Sequence, residues 1–302
     1  MILGDLPHSE ISARLAGEGL AFEVGRMSVA LRSSLPQLPA LLQLLYHDYP
    51  LSPENEVRSF RVSLDAAGFI PGLGRGEVEF RHEGSAPFMP MPMPHAFAML
   101  EWGLNWCVAT SMHCWLIVHA AVLERNGRAV ILPGRPGAGK STLTAVLACR
   151  GWRLLSDEHA ILDVDQGTLI PAPRPISLKN ESIPLVRKLF PEAILSPPVL
   201  NTHKGTISHL RPPGDSVARG KISVPPAWLI FPEFNREDRT ELVAAEKGRC
   251  LVELATNAFN FHVHGTRGFQ ALAALLDTVE TYELAYASVM DAADLVDALA
   301  DR

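Results

Sequence analysis

The chain has 302 residues, 47% apolar and 20% charged, the mix of a globular protein with ample core material rather than a disordered chain. A net charge of −6 gives no electrostatic footprint for nucleic acid, which favours a basic face. Four cysteines, Cys107, Cys114, Cys149 and Cys250, lack both metal-ligand spacing and the density of a disulfide framework, so reduced thiols are expected. Residues 1–15 carry acids and a proline where a signal peptide needs a basic start and an apolar run. The most apolar stretch, 96–123, is interrupted by Glu101, Asn105, His113 and His119, and reads as a buried helix and strand rather than a membrane span. A cytoplasmic protein without nucleic-acid or membrane partners is expected.

In chain order, residues 21–32 and 59–64 alternate apolar and polar side chains as half-buried strands do, with a leucine-rich helix over 38–46 between them. The Pro-Met run at 88–94 disfavours regular structure, because each proline removes a donor and restricts its predecessor. It reads as a linker, which divides the chain into an N-terminal, mainly β (α+β) domain over 1–94 and a larger domain over 95–302. A helix over 95–112 leads into a strand over 115–124. Arg125-Asn126-Gly127 turns the chain into a second strand, 128–132. A helix over 141–150 and a short strand over 153–156 follow. Residues 163–167 form a hairpin turn with a return strand over 168–171. The region 171–226 is rich in Pro, Lys and Arg, has weak periodicity, and reads as loops of the kind that carry function. A buried strand over 227–231, a helix over 268–282, a strand over 284–286 and a helix over 291–300 complete the domain.

Gly134-Arg135-Pro136-Gly137-Ala138-Gly139-Lys140-Ser141 satisfies G-x-x-x-x-G-K-S/T, and it follows a strand and opens a helix, the context that this motif requires. Glycines let the backbone turn its N–H groups toward phosphates, and the helix N-terminus adds positive potential. The expected ligand is ATP with Mg²⁺, with Lys140 on the β- and γ-phosphates, the Ser141 hydroxyl on the metal, and Thr142 next in the cradle.

Ser156-Asp157-Glu158 ends the first strand after that helix, where an open α/β sheet places ligand-binding residues. One acid there suits a metal and the other suits a hydroxyl proton; a solvated surface pair is the plainer alternative. His119 lies in the middle of an apolar strand, a place where a histidine is more often a satisfied core residue.

The run His119-Ala120-Ala121-Val122, the glycine-rich loop, Gly151-Trp152-Arg153-Leu154-Leu155 and Ser156-Asp157-Glu158 resemble the catalytic domain of bacterial HPr kinase/phosphorylase. More closely they resemble the HPr-kinase-related kinase A family. The likeness is strong over about residues 115–180 and weak beyond. It implies an α/β P-loop kinase fold of the HPr kinase / PEP carboxykinase-like type. It also implies Asp157 as general base toward a serine hydroxyl, His119 hydrogen-bonded near it, and Glu158 in the place of a second, metal-binding aspartate. The acceptor it implies is a serine on a protein or peptide.

The glutamate-isoleucine-arginine-glycine signature of the bifunctional enzymes is missing. Thr202-His203-Lys204-Gly205-Thr206 and then Ser208-His209-Leu210-Arg211 stand in its stead. The resemblance therefore implies neither phosphorylase activity nor recognition of HPr itself, and both are left open. Arg174, Lys179, Lys204 and Arg211 are the basic residues to place near phosphates or substrate, each with a solvated surface charge as its plainer alternative. Asn260 reads equally as a turn former. A small-metabolite kinase and a non-catalytic ATP-binding module remain alternative readings, and assembly into a homo-oligomer is left open.

Overall fold

A computed structural model describes residues 1–53, 56–68, 76–237 and 239–302. The first part builds α1 (His8–Ala16), β1 (Leu20–Val24), β2 (Met27–Arg32), α2 (Leu38–Leu45), β3 (Phe60–Ala67), β4 (Glu77–His82), β5 (Met91–Pro92) and α3 (Ala96–Ser111). The five strands form one sheet in sequence order, with β2 and β3 parallel and the other pairs antiparallel. In β3, Phe60, Val62 and Leu64 are buried and Arg61 is exposed, the period of two that turns one face to the core. Helix α1 buries only Ile11 and Leu15, too sparse a pattern to announce itself in the sequence.

The segment 88–94, expected as a linker, instead supplies the edge strand β5 and a 3-10 turn, Met93–His95. Its prolines fit there, because an edge strand needs no donor on its outer side. Helix α3 packs on this first sheet: Phe97, Met99, Leu100 and Leu104 share a core with Leu42, Tyr46, Val78 and Phe80. That core continues into Ile117, Ile161 and Ile170 of the second sheet.

The rest comprises β6 (Leu116–Arg125), β7 (Arg128–Pro133), α4 (Lys140–Cys149), β8 (Arg153–Ser156), β9 (His159–Asp163), β10 (Thr168–Ile170), β11 (Ile176–Lys179), α5 (Ser182–Leu189), β12 (Val199–Thr202) and β13 (Gly205–Leu210). It ends with α6 (Gly214–Ala218), β14 (Pro226–Phe234), β15 (Glu241–Ala244), α7 (Lys247–Thr256), α8 (Phe261–Thr278), β16 (Glu280–Tyr286) and α9 (Val289–Ala300). The large sheet runs β10-β9-β6-β7-β14-β16-β15, with β8 also on β6. Within it β7, β14 and β16 are parallel and the other pairs antiparallel, so the molecule is mixed α/β. Helices α4 and α9 cover one face, through Leu143, Val146, Ala293 and Val296. Helices α7 and α8 cover the other, through Leu254, Leu272 and Leu276. Residues 129–132 of β7 are buried without alternation, as a strand covered on both faces must be.

The tight turn into β7 forms as expected: Asn126 and Gly127 take φ of 55° and 76°, the left-handed pair of a type I′ hairpin. The region 171–226 differs from the expectation of loops. It holds a three-stranded antiparallel sheet, β11-β13-β12, and α5. Among the described residues, no helix is long and apolar enough to cross a membrane.

Candidate functional site

Strand β7 ends at Pro133, and residues 134–139 carry the chain into α4 at Lys140. This loop lies at the carboxyl end of the parallel strands, where open α/β sheets hold ligands. Gly137 and Gly139 take φ of 90° and 87°, a region that glycine enters without the strain a Cβ brings. At Gly139 the demand is also steric, since a Cβ would stand 2.0 Å from Tyr286 Oη on β16. The Phe234 amide on β14 donates to Ala138 O at 3.2 Å. The loop thus rests on the ends of β14 and β16, while Arg135, Pro136 and Gly137 are exposed. Nothing lies within 4 Å of where a Gly137 Cβ would project.

Lys140 is 8% exposed, and its Nζ donates to Gly134 O at 2.5 Å, folding back over the loop. Burial lowers its pKa, and the charges of Glu158 and Asp157 oppose that shift. Both carboxyls therefore lie within electrostatic reach of the ammonium. Ser141 and Thr142 form the first turn of α4 behind it.

Strands β8 and β9 both run antiparallel along β6; the β8 register shifts by one between Leu154 and Ser156, and from there Ser156 stands opposite Val122 and His159 opposite His119 in one register. Between them the pairing lapses at Asp157 and Glu158. In an unbroken ladder Glu158 would face away from His119, because successive side chains alternate. The lapse frees it to turn, and His119 Nε2 donates to Glu158 Oε2 at 3.1 Å. The imidazole therefore pairs with Glu158, whereas the resemblance implied Asp157.

Asp157 is 5% exposed. Its Oδ2 accepts from the Ser177 amide at 3.3 Å, and its Oδ1 is buried without a hydrogen-bond partner. Burial, and then the charge of Glu158, push its carboxyl up to about 7, while Ser141, Lys179 and Lys140 pull the other way. Burial would raise Glu158 too, yet the hydrogen bond and charge of His119 hold it well below the usual carboxylate range. Two adjacent acids are thus driven apart, one ionised and one poised near neutrality. Such a split marks acid/base and metal sites in general.

The four basic residues separate in space. Lys179, at the end of β11, and Lys204, in the β12–β13 hairpin, both act electrostatically on Glu158. Lys204 Nζ stands 5.1 Å from the centre of the Trp102 ring on α3. Neither ammonium makes a hydrogen bond or ion pair among the described residues. Arg174 is buried and committed: it pairs with Glu101 Oε2 at 3.1 Å and also donates to Asn105 Oδ1. Arg211 pairs with Asp48 of the first sheet's region at 2.6 Å. Both differ from the expectation of a free phosphate or substrate contact, because each guanidinium joins the two parts of the molecule. Asn260 is fully buried; it accepts from the Ile117 amide and donates to Trp115 O, holding residues 257–260 against β6.

Residues that sequence reasoning passed over also shape the site. The Ser177 amide holds Asp157, Trp102 carries Lys204, and Tyr286 supports the loop. The only signal for Ser177 was its place in the proline-rich region, whose strands are too short to show a period. Among the described residues, no group of three or more His, Cys, Asp or Glu could hold a metal alone. Magnesium needs fewer, since it takes one or two carboxylates with substrate phosphates and water. The Ser141 hydroxyl, in the first turn of α4, and the ionised Glu158 carboxylate are hard oxygen donors that fit it. No protein-family model matches this chain, and no curated protein does.

Proposed function

We propose that this protein is an ATP-dependent kinase, resembling HPr kinase, that transfers the γ-phosphoryl group to a serine hydroxyl on a protein or peptide. One observation carries the reading: the buried Asp157, clamped by the Ser177 amide, lies close enough to Lys140 and Ser141 of the glycine-rich loop for each to act on its carboxyl. The strand-loop-helix at the carboxyl end of β7, β14 and β16 supports a P-loop kinase fold within the mixed α/β architecture. The cytoplasm is the proposed location, with neither nucleic acid nor membrane as partner.

In this reading the amides of residues 134–141 and Lys140 hold the phosphates of ATP, with Lys140 released from Gly134 O. Ser141 and Glu158 would hold magnesium, which when bound neutralises phosphate charge. His119 keeps Glu158 ionised and oriented. Asp157 takes the proton of the acceptor hydroxyl as its oxygen bonds to the γ-phosphorus; the bond to the bridging oxygen breaks and ADP leaves. Lys179 and Lys204 offset charge on the phosphoryl group in transit.

The test is incubation with Mg-ATP and a broad set of serine-containing proteins, peptides and free hydroxylated metabolites, with phosphate incorporation read by mass spectrometry. Transfer to a peptide serine is expected; transfer to free metabolites alone would replace the acceptor, and no transfer to any hydroxyl would overturn the kinase reading. Asp157→Asn should still bind ATP while turnover falls by roughly 10²-fold or more, the lower end of what a positioned base contributes.

A further inference from the structure

A small, partly open cavity of about 20 Å³ is lined by Asp157. Three of the residues lining it carry buried polar atoms without a hydrogen-bond partner: Asp157 Oδ1, Ser177 Oγ and His209 Nε2. Their exposures are 5%, 8% and 1%. Ser177 and His209 stand opposite each other on β11 and β13, so their side chains leave the same face of that small sheet. The Ser177 amide already holds the other oxygen of Asp157.

Buried polar groups in folded proteins are almost always satisfied, by protein or by ordered water. Three unmet groups around one cavity call for a polar occupant. The space exceeds the roughly 10–15 Å³ that one water needs and leaves no room for anything much larger. Arg174 also lines the cavity, yet it reaches none of the three atoms, and its hydrogen bonds go to Glu101 and Asn105.

The geometry points to an ordered water in this cavity, bridging Asp157 Oδ1 to Ser177 Oγ and His209 Nε2, and so making Ser177 and His209 positioning residues for Asp157. The donor and acceptor inventory permits it. A water donates twice and accepts twice, the serine hydroxyl does either, and a carboxylate accepts. Burial and the nearby Arg174 keep the His209 imidazole neutral, with its pKa down at about 3, so its Nε2 suits either role. With Oδ2 held by an amide and Oδ1 by the water, the carboxyl is fixed in one rotamer. Each oxygen still has a lone pair for an acceptor proton.

The positioning role rests on the kinase reading, but the water does not. A high-resolution crystal structure of the nucleotide-free protein tests the site directly. The expected result is a water at about 2.7–3.2 Å from all three atoms; a dry cavity, or one filled by a side chain, overturns the proposal. Ser177→Ala and His209→Phe, the second filling the space, test the role. Each is expected to lower kcat by about tenfold with KM for ATP unchanged, as a loss of orientation does. His209→Gln, which keeps a polar end, should recover most of that loss. Unchanged kcat in Ser177→Ala, which removes a single hydroxyl and so serves as the check where His209→Phe fails to fold, overturns the positioning role. If the wild-type protein transfers no phosphate, the kinase reading falls and the electron density alone decides the water site.

Discussion

His119 Nε2 stands 3.1 Å from Glu158 Oε2, and the neighbouring acid, Asp157, is held by the Ser177 amide instead. Consecutive residues in the chain thereby have opposite surroundings. The imidazole keeps Glu158 ionised, and that charge, added to burial, discourages ionisation of Asp157. One change should undo both. Replacing His119 with alanine removes the partner of Glu158, and turnover is expected to fall by about tenfold or more, with metal-free ATP affinity changed by less than about threefold. Steady-state kinetics and calorimetry separate the two quantities. An equal loss in ATP binding would show that His119 acts on the nucleotide itself.

Asp157→Asn should stabilise the nucleotide-free protein at alkaline pH. The carboxyl has a pKa of about 7 when folded against an ordinary 3.8, so between those values the folded state binds the extra proton. Stability therefore falls as pH rises through about 7, and asparagine removes that fall. At pH 8 the variant should be more stable by roughly 1–4 kcal/mol, and the gap should narrow at pH 5 and close only below the ordinary carboxyl value of 3.8. The buried His159 and His209, both held near 3, act alike in the two proteins and cancel. Urea unfolding at the two pH values measures the gap, and a pH-independent difference contradicts the assignment.

Tyr286 Oη is buried without a partner where it meets Gly139. Removing an unsatisfied hydroxyl relieves its desolvation, so Tyr286→Phe is expected to be neutral or to stabilise by about 1 kcal/mol. Gly139→Ala, whose Cβ would meet that oxygen at 2.0 Å, should abolish ATP binding, and adding Tyr286→Phe should restore part of it. Thermal melts and nucleotide titration read both effects. No rescue in the double variant would mean that the left-handed backbone at Gly139, rather than the contact, decides the loss.

Arg211 and Lys179 should respond differently to alanine. Arg211 is committed to Asp48, so its loss should cost about 1 kcal/mol of stability or less and leave turnover within about twofold. Lys179 faces both acids without an ion pair, and its loss should cost about tenfold or more in turnover. The same phosphate-transfer assay decides. The reverse ranking would place the phosphoryl group on the other side of the β11–β13 sheet.

Arg174 shows how far sequence reasoning reaches. Its type and its position before β11 suggest a phosphate contact, yet it lies against Glu101 on α3, with Tyr46 Oη donating to the other carboxylate oxygen at 2.5 Å. Nothing in residues 171–175 records that a helix some seventy positions earlier brings a buried acid to this point. The Pro-Met segment misleads for a related reason: its prolines argue against structure in isolation, whereas the open edge of β4 accepts them.

The glycine-rich loop, the helix it opens, the Asn126-Gly127 turn and the adjacency of Asp157 and Glu158 were determined by the sequence alone. Each depends on backbone conformations and spacings confined to a few neighbouring residues. Tertiary structure decided which acid His119 would hold, which cations would stay free, and which amide would clamp Asp157. Those outcomes depend on strand register and on the packing of α3 and the β11–β13 sheet. Such contacts join residues far apart in the chain, and no local pattern of charge or hydrophobicity encodes them.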